Sequence, residues 1–286
     1  MKIFRTLSIF CFCLFSLMAE AQETKIEKEF QVRIYGDGKP ILLFPGFSCS
    51  SEVYSTIIPK LSKSHQVHAF TFAGFGGVKA IEIPWLEKIK DGVMNYIDTY
   101  NLEEAVLIGH SMGGTLALWL SSERPNSFKE LVVIDGLPAM GALMIPNYDS
   151  ASITYDTPYN RRMIDMNADE FSSMAHQMAA SMSSKAESQA QIQKWMEMAD
   201  RKTYVYGYTD LLKLDLRNAL SSIKIPVTIL AASQPYGKQV TEKNYRDQYT
   251  HLGTYDLVFA ENSKHFIMYD QPEWFESQIK KVLEVK

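Results

Sequence analysis

The 286-residue chain has little cysteine, no apolar run long enough to span a membrane and no cluster of one charge sign. Each absence removes a class of protein. Cys11 and Cys13 lie in an N-terminal apolar run and only Cys49 lies beyond it, so no internal disulfide can hold the body of the chain together. The apolar run, Leu7 to Met18, is shorter than the roughly 20 residues that cross a bilayer as a helix. Lys2 and Arg5 precede it and Ala19-Glu20-Ala21 follows it, which is the pattern of a secretory signal peptide over residues 1–21. The expectation is an exported protein, periplasmic or secreted, with no stable membrane anchor after processing. The formal net charge is -4, and loss of Lys2, Arg5 and Glu20 would take it to -5. Lys and Arg are scattered, without the basic patch that marks a nucleic-acid partner. His65, His68, His176 and His251 have no partners at metal-ligand spacing, so neither a metal nor a cofactor is expected.

What is present is an alternation of strand and helix patterns. About 265 residues after processing suffice for one large α/β domain with an insertion. Phe30 to Tyr35 alternates like a half-buried strand, and Pro40 to Phe44 is apolar throughout, like a strand covered on both faces. Val53, Ile57 and Leu61 recur at helical spacing, as do Leu86, Ile89, Val93 and Ile97. Strands are expected at Gln66 to Phe72, Val106 to His110, Leu131 to Ile134, Ile225 to Ala231 and Thr254 to Phe259, and Pro272 opens a terminal helix. Such alternation argues for a mostly parallel sheet with helices on both faces, in which ligands sit beyond the carboxyl ends of the strands.

Between Ala139 and about Leu220 the pattern changes. No strand is evident there, and nine methionines fall between Met140 and Met198. Phe171, Met174, Met178 and Met182 share one helical face, as do Ile192, Trp195, Met196 and Ala199. Packing is the first reading of such a stripe. A lid over an apolar ligand is the second, since flexible thioethers adapt to varied shapes.

The chemistry centres on Gly109-His110-Ser111-Met112-Gly113, the G-x-S-x-G spacing of a nucleophile elbow, flanked by an apolar strand and the helix pattern that follows it. The turn folds the backbone back on itself, leaving no room for a side chain at either glycine, and it presents Ser111 at its tip. The first N–H groups of the following helix have no intrahelical partner and point toward the same place.

With Pro45-Gly46-Phe47, Gly74-Phe75-Gly76, Ile225-Pro226-Val227 and Asn262-Ser263-Lys264-His265-Phe266, the sequence resembles the α/β-hydrolase family over nearly its whole length after residue 21. The resemblance implies an eight-stranded, mostly parallel sheet with a helical cap inserted after the sixth strand. Residues 22–138 and 221–286 would then form the core, and residues 139–220 the cap. It also implies that His265, in the loop after the last strand, is the base that accepts the Ser111 proton. Most relatives carry their acid after the seventh strand, where this chain reads Ala232-Ser233-Gln234-Pro235-Tyr236-Gly237-Lys238, without a carboxylate. Asp135, directly after the sixth strand, is the substitute, with a turn-capping role beside Gly136 as its alternative. Asp210, Asp215 and Asp256 rank below it. The amides of Phe47 and Met112 are the expected oxyanion hole, although Pro45-Gly46 stands where the family often has His-Gly. His110 is expected to pack against the sheet, and Cys49 to be a small buried hydrophobe.

The expected function is hydrolysis of an ester or related acyl bond of a small apolar substrate through an acyl-enzyme. Two alternatives remain: a cofactor-free perhydrolase or lyase on the same scaffold, and a non-catalytic small-molecule-binding protein.

Overall fold

The computed structural model describes residues 22–284, so the signal peptide predicted over residues 1–21 lies outside the described residues. The strands are β1 (Glu23–Ile26), β2 (Phe30–Tyr35), β3 (Lys39–Phe44), β4 (His65–Phe72), β5 (Val106–His110), β6 (Glu130–Ile134), β7 (Val227–Ala232) and β8 (Asp256–Ala260). They form one eight-stranded sheet in the order β1-β2-β4-β3-β5-β6-β7-β8. β2 runs antiparallel to β1 and β4, whereas the pairings from β4 through β3 and β5 to β8 are parallel. Parallel neighbours require crossover connections. Helices α1 (Ile58–Leu61), α2 (Trp85–Tyr100) and α3 (Met112–Glu123) supply those of the first half. Between β6 and β7 lie α4 (Met140–Met144), α5 (Pro158–Asp165), α6 (Ala168–Met182), α7 (Ala186–Met198) and α8 (Arg201–Lys213). Helices α9 (Lys238–Gln248), α10 (Ile267–Asp270) and α11 (Pro272–Glu284) complete the chain.

The continuous apolar strands are buried on both sides, as their composition requires. Along β3, Ile41 and Leu43 join one buried cluster, with Val67, Ile108 and Phe275, while Leu42 and Phe44 join the other, with Phe70, Leu107 and Leu116. Side chains alternate across the strand, so the sheet separates two cores.

Two expectations need correction. The helix expected through Val53, Ile57 and Leu61 is a 3-10 turn, Ser51–Tyr54, followed by the single turn of α1. Pro59 explains the break, because it lacks the N–H that a continuous helix would use and restricts the residue before it. The edge strand β1 was not anticipated: Glu-Thr-Lys-Ile is largely exposed and carries no alternating apolar signal.

The register fixes where the chemistry can sit. His110 pairs with Ile134 across β5 and β6, so Ser111 and Asp135 leave adjacent parallel strands at the same level. Ala232 and Ala260, paired across β7 and β8, end at the same edge. Asp210 ties α8 to this framework. Its Oδ2 accepts the amides of Trp85 (2.6 Å) and Leu86 (3.1 Å), capping α2, whose own cap residue is Pro84, without a capping side chain.

Candidate active site

Ser111 sits between β5 and α3 with φ 54° and ψ -122°. A non-glycine residue there carries strain of roughly 1–3 kcal/mol, which the surrounding turn must hold. The glycines explain how it is held. A Cβ on Gly109 would lie 2.2 Å from the carbonyl oxygen of Gly113, and one on Gly113 would lie 2.2 Å from that of Phe44. Ser111 N–H donates to Ile134 O (2.8 Å), and Ser111 O accepts Gly114 N–H (2.9 Å). The strand-turn-helix read from the sequence is therefore anchored on both sides.

Asp135 also has a positive φ, 45°, and follows β6 directly. Its Oδ2 accepts the Nδ1–H of His265 at 2.7 Å. Its Oδ1 accepts Ala232 N–H (2.9 Å) and Tyr245 O–H (2.8 Å). Burial alone would raise this carboxyl, but the hydrogen bonds and charge of His265, with the Ala232 and Tyr245 donors, outweigh it and lower it below the ordinary value. Because a carboxylate only accepts, the proton of neutral His265 is on Nδ1, and Nε2 is left able to accept one. Ser111 and His265 line the same pocket. Among the described residues no hydrogen bond joins them, a contact that commonly tightens only with substrate in place.

The acid turn is braced by Tyr245 on α9 and by Tyr249, the residue that caps the end of that helix. Tyr249 O–H donates to Gly136 O (2.8 Å), one turn beyond the Tyr245 bond to Asp135, and the two rings stack with centroids 6.0 Å apart. The signal was present as two tyrosines at i and i+4, which share one helical face. Burial, then the negative charge of Asp135, raises the Tyr245 hydroxyl well above its ordinary value, so it remains a donor.

Phe47 and Met112 are the residues expected to supply the oxyanion donors. Met112 is the first residue of α3 and Phe47 follows Gly46 on the loop after β3. Neither amide donates to another backbone group among the described residues outside regular secondary structure. A Cβ on Gly46 would come within 2.7 Å of His110 Nδ1, so only glycine lets this loop approach the elbow.

His110 does more than pack on the sheet. Its Nε2–H donates to the backbone oxygen of His265 (3.1 Å), and its ring lies 4.7 Å from the rings of His265 and Phe266. Nδ1 is buried without a partner. Burial, reinforced by the neighbouring His265, lowers its pKa to about 3. Cys49 is buried, its thiol pushed up by desolvation, as expected of a small hydrophobe. His176 is on the outside of α6, bonded to Gln193. No cluster of three or more His, Cys, Asp or Glu side chains suited to a metal occurs among the described residues.

The pocket over Ser111 has a volume of about 300 Å³. Its far wall comes from α4 to α8 and includes seven methionines, among them Met140, Met174, Met178 and Met182. The stripe on α6 is thus divided: Phe171, Ala175 and Ala179 are core, and the three methionines face the pocket. The α6 end also grips the histidine loop. Phe266 N–H donates to Met182 O (3.1 Å), Lys264 Nζ to Ala180 O (2.7 Å), and Asp270 accepts Ser183 Oγ (2.7 Å) and Lys264 N–H (2.9 Å).

A family model described as the alpha/beta hydrolase family matches residues 41–278, and the chain belongs to that family. A 3-oxoadipate enol-lactonase of Acinetobacter baylyi is 25% identical over 254 residues, covering 87% of this chain and 90% of that protein. An (E)-2-((N-methylformamido)methylene)succinate hydrolase of the same organism is 23% identical over 248 residues, covering 83% and 88%. Among solved structures, an enol-lactonase from Burkholderia xenovorans superposes with a TM-score of 0.73 at 16% identity, over 89% of this chain and 96% of that one. The structural likeness establishes the fold, and with the family match the protein is a hydrolase on an α/β-hydrolase scaffold.

Proposed function

We propose that the protein is an exported serine hydrolase that cleaves carboxylic esters of small apolar substrates through an acyl-enzyme. The observation that carries this reading is the His265 Nδ1–Asp135 Oδ2 hydrogen bond of 2.7 Å on the rim of the pocket that Ser111 enters. Ser111 Oγ attacks the carbonyl carbon as its proton passes to His265 Nε2. The amides of Phe47 and Met112 hold the negative oxygen of the tetrahedral intermediate. His265 then gives its proton to the departing alkoxide, and a water activated by the same histidine releases the acid. Asp135 keeps the imidazole in the working tautomer and orientation.

The relatives named as an enol-lactonase and a hydrolase agree with cleavage of an ester-type bond, since a lactone is a cyclic ester. Residues 139–220 act as a cap, with α4 to α8 closing the apolar side of the pocket. Export follows from the N-terminal pattern at residues 1–21, and mature protein starting near Gln22 is the expected result of N-terminal sequencing. No described helix is long and apolar enough to cross a membrane. The Asp135–His265 hydrogen bond supports the catalytic reading over the non-catalytic alternative, although the loop after β7 has no carboxylate.

Ser111→Ala tests the reading directly. Hydrolysis of short aryl esters should fall at least about 10⁴-fold with the fold intact. Unchanged hydrolysis would refute it.

A further inference from the structure

The pocket wall has an unusual composition for a site that must place an ester. None of its lining residues is Lys or Arg, and seven are methionine. Most of the polar groups along the methionine wall already have partners. Asn160 Nδ2 donates to Tyr155 O (2.8 Å) and Thr209 Oγ1 (3.0 Å), and Thr209 Oγ1 donates to Val205 O (2.9 Å). Tyr204 O–H points at Met178 Sδ (3.7 Å) and Tyr208 O–H at Met144 Sδ (3.2 Å). Ser48 adjoins Phe47 at the nucleophile end, and Tyr159 is 68% exposed at the mouth.

The cations packed behind the same wall are held by other partners and do not line the pocket. Arg201 stacks 3.6 Å from the Phe171 ring centroid and donates to Met163 O (3.0 Å) and Met166 O (2.9 Å). Lys264 Nζ is bound to the carbonyl oxygens of Ala180 and Ser183. The hydroxyls of Ser48, at the nucleophile end, and Tyr159, at the exposed mouth, lie away from the methionine wall. A carboxylate entering the chamber would lose its water and gain no cation, because no lining residue is Lys or Arg. Such burial is among the most unfavourable transfers in proteins. An alkyl chain meets the opposite situation, because thioethers are apolar, polarisable and adaptable in shape.

We propose that the substrate is a neutral ester whose unsubstituted aliphatic acyl chain lies in the methionine-lined chamber, and that acyl chains ending in a carboxylate are rejected. A volume of about 300 Å³ lies at the small end of the roughly 300–1,000 Å³ of small-molecule pockets, which suits a short acyl chain such as hexanoyl. The proposal rests on the serine-hydrolase reading only for which end of the ligand meets Ser111.

A matched pair of ligands tests it. Methyl hexanoate and monomethyl adipate share a methyl ester and four methylenes and differ only in a terminal methyl or carboxylate. Titrated calorimetrically into Ser111→Ala protein at neutral pH, methyl hexanoate should bind at least about 100-fold more tightly. Equal affinity, preference for the half-ester, or no binding of methyl hexanoate at millimolar concentration would overturn the proposal. Fluorophosphonate labelling of the wild type separates the two readings. Labelling together with preference for the half-ester defeats the substrate class alone. Absence of labelling together with preference for methyl hexanoate defeats the enzymatic reading and leaves the chamber's selectivity standing.

Discussion

The two sides of the pocket are built differently. On the core side, Asp135 Oδ1 accepts two donors and Oδ2 a third, Gly136 O accepts Tyr249, and the elbow glycines leave no space for a methyl group. On the side formed by α4 to α8, the surface presented to the pocket is chiefly thioether and alkyl, and two of the hydroxyls there, those of Tyr208 and Tyr204, reach sulfur at 3.2 and 3.7 Å. Directional bonds fix the first side. Dispersion holds the second, and it admits rearrangement at little cost. Geometry sufficient for proton transfer needs the former, and fitting an alkyl chain needs only the latter. The contrast predicts that conservative changes on the core side are severe and that comparable changes on the methionine side are mild.

Asp135→Asn should show the largest effect. The shape is kept, but the amide no longer enforces the tautomer with Nε2 free, so kcat for an aryl ester should fall roughly 10³–10⁴-fold. A loss under tenfold would move the acid elsewhere and dissolve the contrast.

His110→Gln should change how stability depends on pH. The folded-state pKa of His110 lies at about 3, below the ordinary histidine value, because the ring is buried. Between pH 6.5 and about 3 the unfolded chain takes up a proton that the folded chain does not, so falling pH destabilises the wild type through this group. The contribution is up to about 1.4 kcal/mol per pH unit, absent above pH 6.5. Urea titrations from pH 7 to 4 should show the stability advantage of wild type over His110→Gln shrinking at about that rate. A constant difference would mean that the ring takes up its proton over the same pH range in the folded and unfolded states.

Tyr245→Phe removes one of three donors to Asp135. The expected loss is about tenfold in kcat, near the ~1.5 kcal/mol of a hydrogen bond to a charged group, with KM unchanged. A change confined to KM would put Tyr245 on the substrate side. Met178→Leu is the mild counterpart: an unfolding free energy within about 1 kcal/mol and kcat/KM for a hexanoyl ester within threefold of wild type. A hundredfold loss there would show that the methionine wall is as exacting as the acid turn.

The fold was legible because its signals are local. Continuous apolar strands, the alternation with helical stripes and the G-x-S-x-G turn each state their own structure within ten or so residues. Asp135 was legible by position, since β5 and β6 are neighbours and both turns leave the same edge. The α9 braces were not, because the partners of Tyr245 and Tyr249 are about 110 residues away and their pairing follows from how α9 docks. The methionine stripe was only half legible. Periodicity identifies the apolar face of α6, but a face can meet a core or a cavity, and three-dimensional packing decides that Phe171 does one and Met178 the other. The capping of α2 by Asp210 was not legible for the same reason: its partners, the amides that begin α2, are more than a hundred residues upstream.

The central claim is that Ser111 is made nucleophilic by His265 held on Asp135. Reaction with a fluorescent fluorophosphonate, followed over time on a denaturing gel, reads that nucleophilicity without assuming a substrate. The account predicts rapid single-site labelling of the wild type, none in Ser111→Ala, and labelling slowed at least about 10³-fold in both His265→Ala and Asp135→Asn. Labelling of Ser111→Ala at the wild-type rate, or an undiminished rate in Asp135→Asn, would contradict it.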